Sequence, residues 1–303
     1  MVTETAGLLD TVAPQASRRP DRPQRPDRTT EPHQPPAAPG RSLRIAMVSE
    51  HASPLAAPGT PDAGGQNVHV DALARALGRL GHTVTVYTRR DAPSLPDRVP
   101  LGPGAEVVHV DAGPRRHLPK EQLAPHMDEL GEGLAADWRR TRPDVVHAHY
   151  WMSGLACLTA RRSAGAGGTP DRRPPLLQTF HALAVVRRRH LGEADGALEA
   201  RLGAEQRLVR EVDGIVATCQ DEAAELGALG ASPDRISVVP CGVDLERFTP
   251  RGPVAPRPPG RYRLLVVGRL VARKGALDVL RALPHVPDAD LVVAGGPEAD
   301  ELA

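Results

Sequence analysis

The chain has 303 residues, 25% of them charged, 40% hydrophobic and 2% aromatic, and its 38 basic side chains nearly balance 37 acidic ones for a formal net charge of +1. That length suits two domains of roughly 100 to 200 residues each, and the near-neutral balance supplies no global field for nucleic acid or an anionic membrane surface. No apolar stretch approaches the roughly 20 residues of a membrane span and the N-terminus lacks the apolar core of a signal peptide, so a soluble, cytoplasmic protein is expected. Cys157, Cys219 and Cys241 are odd in number and far apart, without a CxxC pair, which points to neither a disulfide framework nor a structural zinc site. Lys120 and Lys274 are the only lysines; in so arginine-rich a chain each is either a chance placement, the simpler reading, or a position where the larger guanidinium does not fit.

Residues 1–40 hold eight prolines and alternate Arg with Asp, with almost no apolar periodicity, and read as a disordered tail. From Arg44 the pattern changes. Ile45 to Ser49 is a short buried strand, followed by a Gly/Pro-rich loop and by Val70, Leu73, Leu77 and Leu80 at helical spacing. Further apolar strands follow at Thr83 to Thr88, Val107 to Val110, Asp144 to Tyr150, Leu176 to His181, Gly214 to Cys219 and Ile236 to Pro240, with a helix carrying Leu123, Met127, Leu130, Leu134 and Trp138 between the second and third of these. Short apolar strands alternating with helices predict an α/β fold: a doubly wound, mostly parallel sheet covered on both faces, spanning 41–249. The segment 250–261, with five prolines, reads as an interdomain linker. Beyond it, within 262–303, YRLLVVG, ALDVLRAL and DLVVAGG form one strand, helix, strand unit, the beginning of a second doubly wound domain. Such a unit leaves both sheet edges and one helix face uncovered and cannot stand alone.

Several residues carry chemistry. Gly64 and Gly65 stand just before a helix, where glycine lets a diphosphate approach free backbone N–H groups; a simple turn is the plainer reading of the pair. His147 and His149 project to one side of a strand end, and His181 ends another strand; strand C-termini are where open α/β sheets bind ligands. No carboxylate or cysteine sits at a matching spacing, so no metal is expected; His147 fits a packing role and His149 and His181 a ligand-facing one. Tyr150, Trp151 and Phe180 adjoin these histidines, as in a pocket that takes a sugar. Lys274 precedes a helix, where a cation opposes the macrodipole unless an anion lies between them. With Arg269 it forms either a diphosphate clamp or an exposed, solvated basic loop.

Six segments in this order, SPLAAPGTPDAGGQNVHVDALARAL, DVVHAHYWMSGL, TFHALAVVRRRH, IVATCQDE, ISVVPCGVDLERFTP and VGRLVARKG, resemble the retaining glycosyltransferases of the GT-B fold, family 4. The branch is the one that holds sucrose-phosphate synthases and the transferases that place N-acetylglucosamine on inositol phosphate. The resemblance implies one complete Rossmann-like domain on the acceptor side and the first unit of a nucleotide-sugar-binding domain. It also implies transfer from a nucleotide diphosphate sugar, commonly a UDP-sugar, to a small, phosphorylated acceptor, with retention and without a metal or other cofactor. By matching motif, Gly64 and Gly65 would admit the donor diphosphate, His181 would contact the transferred sugar, and Arg269 and Lys274 would neutralise the leaving diphosphate. Lys120, His149, Tyr150 and Arg201 would lie on the acceptor side. Ala182 stands where the inositol-phosphate branch has a hydroxyl residue, which argues against that acceptor, and Arg187, Arg188 and Arg189 are either a grip for another phosphate or a solvated run.

The family's second domain also carries two glutamates eight positions apart that hold the donor. Glu298 and Glu301 are too close together and too early to replace them, so the chain as it stands is expected to be C-terminally truncated, with little or no activity. A non-catalytic sugar- or phosphate-binding module is the alternative. A Rossmann oxidoreductase is disfavoured, because GxGxxG and its acidic partner are missing.

Overall fold

A computed structural model describes residues 41–56, 64–165, 173–191, 196–253, 255–256 and 259–296. The expected tail, Glu298 and Glu301 lie outside the described residues. The apolar runs become β1 (Arg44–Val48), β2 (Thr83–Arg89), β4 (Ala105–Val110), β5 (Val145–His149), β6 (Leu176–Thr179), β7 (Gly214–Ala217) and β8 (Ile236–Val238). With β3 (Arg98–Gly102) they form one sheet in the order β3-β4-β2-β1-β5-β6-β7-β8, parallel except for the antiparallel β3–β4 pair. The expected α/β, doubly wound Rossmann-like arrangement is present, and its sheet is mixed at one edge.

Alternation along the central strands sorts the two faces. Ile45, Met47, Val84, Val86 and Val107 point to α1 (Gly65–Arg79) and meet Val70 and Ala74. Ala46, Val48, Tyr87, Val108, Val146 and Ala148 point the other way, onto Leu130, Leu134 and Trp138 of α2 (Met127–Thr141). Beside α2 on this face lies α3 (Trp151–Gly165); Gly131 makes the approach possible, since a Cβ there would stand 2.6 Å from the Ala156 carbonyl oxygen. The face is completed by α4 (Ala184–Leu191), α5 (Gly196–Glu211) and α6 (Gln220–Ala228), whose N-cap Cys219 accepts from the Glu222 N–H.

Two elements differ from the sequence expectation. The helix expected from Leu123 begins at Met127, because Pro125 breaks the ladder and leaves two short turns, Lys120–Gln122 and Ala124–His126, ahead of it. Several strands stop before the end of their apolar run, so that His181, expected as a strand terminus, lies two residues beyond β6. After β8, the parallel pair β9 (Tyr262–Val267) and β10 (Ala289–Ala294) is joined through α7 (Ala276–Ala282), as the strand, helix, strand reading expected. Leu265, Val267, Leu277 and Leu280 there are exposed, in contrast to the buried eight-stranded sheet.

Candidate active site

Strands run outward from β1 toward β2 and β4 on one side, and from β5 toward β6, β7 and β8 on the other. The connections therefore diverge between β1 and β5, and in a doubly wound sheet that divergence opens a crevice at the strand C-termini. The segments leaving these termini carry Ser49, Glu50 and His51 after β1, Tyr150 after β5, and Phe180 and His181 after β6. Tyr150 (φ 78°) and His181 (φ 60°) both adopt the left-handed conformation. For a side-chain-bearing residue that costs about 1–2 kcal/mol, and it turns each ring out of its strand direction. Gln178, fully buried in β6, holds the pair in place by donating through Nε2 to the Tyr150 and Thr179 carbonyls, each at 3.0 Å, while the Tyr150 N–H donates to Thr179 O at 2.8 Å.

Four imidazoles gather under the crevice. His149 Nδ1 lies 3.0 Å from His181 Nε2, and the two rings stack. His147 sits against His149 with ring centroids 4.1 Å apart and is hydrogen-bonded to Thr179 Oγ1 at 2.8 Å. His69 from α1 meets His181 edge-on at 5.2 Å. Burial first, then the neighbouring imidazoles, pushes His147 down to about 4 and His181 to about 3, and holds His149 well below the ordinary range. Burial lowers His69 as well. The cluster is thus neutral at pH 7, so His181 can donate and accept hydrogen bonds without adding charge. The donor atoms of His69, His149 and His181 lie within 4.8 Å of one another. They are the described histidines that could hold a metal, although bonds of 2.0–2.1 Å at tetrahedral angles would bring ligand nitrogens to about 3.3 Å. The sequence pointed to His147 as the third member; the fold puts His69 there.

The expected acceptor-side residues divide. Lys120 Nζ stands 3.8 Å from the Tyr150 ring centroid and the Arg201 guanidinium 5.0 Å from it, so both cations lie against the same aromatic ring. Arg201 is held by its Nε on Glu205 at 2.7 Å and by donation to the Ala182 carbonyl at 2.6 Å. Lys120 is placed by the loop before it, which Arg89 ties down by donating to the carbonyls of Ala112, Pro114 and Arg116. His149, expected to face the acceptor, is instead fully buried behind His181, because His181 turns back over it, while His147 reaches the crevice wall. Of the arginine run, Arg188 pairs with Glu199 at 3.4 Å and Arg189 with Glu225, and both Arg187 and Arg189 line the crevice.

On the opposite wall, Gly64 is the extended N-cap of α1 (φ −149°) and Gly65 its first residue. A Cβ at either would meet no heavy atom within 4 Å, and neither has a positive φ, so no turn geometry requires glycine here. Gly64 N–H donates to Asn67 Oδ1 at 3.0 Å, and Asn67 Nδ2 donates to the Ser53 carbonyl, which fixes the helix start. Arg269, just beyond β9, lines the same crevice. Lys274 closes the Ala272–Lys274 turn, its Cδ 3.8 Å from where a Gly268 Cβ would stand, so both cations share the C-terminal end of β9.

Sequence reasoning missed His69, Glu50, His51, Gln178 and Glu205. Glu205 carries a readable signal, four residues after Arg201 on one helix. Gln178 is a polar residue inside an otherwise apolar strand core.

A doubly wound, mostly parallel sheet with a crevice at its switch point, lined by the start of α1 and by several cations, is the Rossmann-like arrangement of a GT-B-type fold. Residues 63–247 match the model of Glycosyltransferase Family 4, and the chain belongs to that family. It is 43% identical to a D-inositol 3-phosphate glycosyltransferase of Nocardiopsis dassonvillei over 247 residues, 78% of this chain and 56% of that protein. To its counterpart in Streptomyces bingchenggensis it is 38% identical over 283 residues, 87% of this chain and 60% of the relative. The chain thus spans about 60% of the length of the curated relatives it matches. Among solved structures, sucrose-phosphate synthase from Thermosynechococcus elongatus superimposes with a TM-score of 0.74 at 28% identity, over 85% of this chain and 63% of that one. Anabaena HepE, solved with UDP and glucose, shares the fold at a TM-score of 0.56 and 14% identity, over 86% of this chain and 63% of its own. No helix among the described residues is long and apolar enough to cross a membrane.

Proposed function

We propose that this chain supplies the acceptor side, and the first part of the donor side, of a cytoplasmic retaining glycosyltransferase that moves a sugar from a nucleotide diphosphate sugar, a UDP-sugar, to a small phosphorylated acceptor. The observation that carries this reading is the pairing of Lys120 and Arg201 over Tyr150, next to His181, at the switch point of the sheet. Two cations held around one aromatic ring suit a phosphate dianion, and the relatives named for inositol 3-phosphate support an acceptor of that class. Ala182 lines the crevice without a side-chain hydroxyl, which supports an acceptor other than inositol phosphate itself.

On the donor side, the absence of any packing or turn requirement at Gly64 and Gly65 supports their role in admitting the diphosphate. Neutral His181 hydrogen-bonds the transferred sugar, and Arg269 with Lys274 offsets the charge that develops on the leaving diphosphate. The acceptor hydroxyl attacks the anomeric carbon as the bond to the diphosphate breaks, and the departing phosphate takes the hydroxyl proton. No resident metal or other cofactor enters this scheme.

Calorimetry of this chain with glucose 6-phosphate and with glucose tests the acceptor reading. Saturable binding is expected for the phosphate alone, and Lys120→Ala should weaken it at least tenfold; equal affinity for both sugars would refute a phosphorylated acceptor. Turnover of UDP-glucose, UDP-N-acetylglucosamine or GDP-mannose in the presence of glucose 6-phosphate would support the transferase reading directly. Sugar-phosphate binding indifferent to UDP would favour a non-catalytic module.

A further inference from the structure

Glu50 is a fully buried carboxylate at the C-terminal end of β1, and nothing in the proposed reaction uses it. Oε1 lies 2.6 Å from His51 Nδ1, and Oε2 accepts from the Ser153 hydroxyl. The same hydroxyl accepts from the Glu50 backbone N–H at 3.0 Å, which locks the carboxylate to α3. Burial alone would push this carboxyl up, but His51 and Ser153 outweigh it and hold it below the ordinary range, so it is ionised at pH 7. A buried charge of this kind adds little to stability compared with an apolar residue of similar size. Its place at the switch point needs another reason.

That reason is His51. An ionised carboxylate at 2.6 Å puts the proton on Nδ1 of the ring, as in a carboxylate–histidine pair that fixes one tautomer. With Nδ1 turned inward, Nε2 lies on the opposite side of the ring, and His51 is among the residues that line the crevice. His51 meets Tyr150 edge-on, ring centroids 5.1 Å apart, beside the ring that carries Lys120 and Arg201. A phosphate on the two cations would leave the rest of a sugar-sized acceptor within reach of this imidazole.

We infer that Glu50 and His51 form a second half of the acceptor site, in which His51 Nε2 accepts a hydrogen bond from a hydroxyl of a polyol monophosphate whose phosphate lies on Lys120 and Arg201. The inference rests on the phosphorylated-acceptor reading and adds to it the polyol part and the residues that recognise it. Glu50 is the positioning residue, since it sets which ring nitrogen offers a lone pair. Hydroxyl recognition of this kind discriminates because the ring nitrogen goes unpaired when the hydroxyl is missing.

The test is calorimetry of the full chain at pH 7.5 with two probes, glucose 6-phosphate and inorganic phosphate. His51→Ala should weaken glucose 6-phosphate about tenfold, the loss of one hydrogen bond, and leave inorganic phosphate unchanged. Lys120→Ala should weaken both. Glu50→Gln keeps the shape but offers an amide N–H to Nδ1, which moves the proton to Nε2; the glucose 6-phosphate affinity should fall as in His51→Ala. Long-range 1H–15N spectra of the His51 ring should report Nδ1–H in the wild type and Nε2–H in Glu50→Gln. Unchanged glucose 6-phosphate affinity in His51→Ala, or equal losses for both probes, would overturn the inference while leaving the acceptor reading intact. A wild-type ring protonated on Nε2 would overturn it whether or not the variants fold. If the wild type binds neither probe, the acceptor reading fails, and this inference with it.

Discussion

Between pH 6.5 and pH 5 the protein is expected to lose on the order of 4 kcal/mol of unfolding free energy through its histidine cluster. The sign follows from the direction of the shifts. His147 and His181 are held neutral down to about 4 and about 3 in the fold, yet each takes up a proton near pH 6.5 once unfolded. The unfolded state thus binds more protons throughout this window, and stability falls as pH falls. Each such imidazole contributes about 1.4 kcal/mol per pH unit, and His149 and His69, lowered as well, add to the slope. The stability is fully present above the unfolded value and is lost progressively until His147 protonates in the fold near pH 4. Against a total of about 5–15 kcal/mol for an ordinary domain, this effect dominates the acid limb. Urea midpoints at pH 7.5, 6.5, 5.5 and 5.0 measure it, and His147→Gln should make the slope visibly shallower. A profile flat from pH 7 to 5 would show that these histidines are not held neutral.

The second large effect is expected at Glu205. Its side chain is fully buried and binds Arg201 through Oε1 and the Ala184 N–H through Oε2 at 2.9 Å. Glu205→Leu would leave a guanidinium only 9% exposed without its counter-charge and the first N–H of α4 without a partner. Breaking a buried pair from one side costs about 3–5 kcal/mol. The double variant Arg201→Met/Glu205→Leu removes the stranded charge and should recover most of the loss. Thermal or urea unfolding of the three proteins decides: a double variant as unstable as Glu205→Leu would mean that the damage is packing and not charge. Because Arg201 also faces Tyr150, both variants should bind sugar phosphate poorly whatever their stability.

Much of this arrangement can be read in the chain before any fold is seen. The strands of the central sheet follow from short β-branched runs such as IAMV, TVTVY and ISVV, and the alternation in VVHAH places His147 and His149 on one face. What stays hidden has a physical cause in each case. The β3 edge strand, RVPLG, holds a proline and a glycine, both poor strand residues, and pairs only because β4 offers its free edge. The burial of His149 depends on the left-handed turn at His181, a backbone state that no periodicity records. Glu50 reads as an ordinary charged residue at a strand end until α3 brings Ser153 onto it from 103 positions away. His69 sits on a mixed polar helix face and joins the cluster only through the packing of α1 on the sheet.

The order of elements along the chain bears on how the protein is made. All eight strands of the large sheet, and His51, Lys120, Tyr150, His181 and Arg201 with them, precede residue 239, whereas β9, Arg269 and Lys274 come after. A chain growing from its N-terminus folds domain by domain in that direction. The eight-stranded sheet, with His51, Lys120, Tyr150, His181 and Arg201 in place, can therefore form during synthesis before β9 and β10 have emerged to pair.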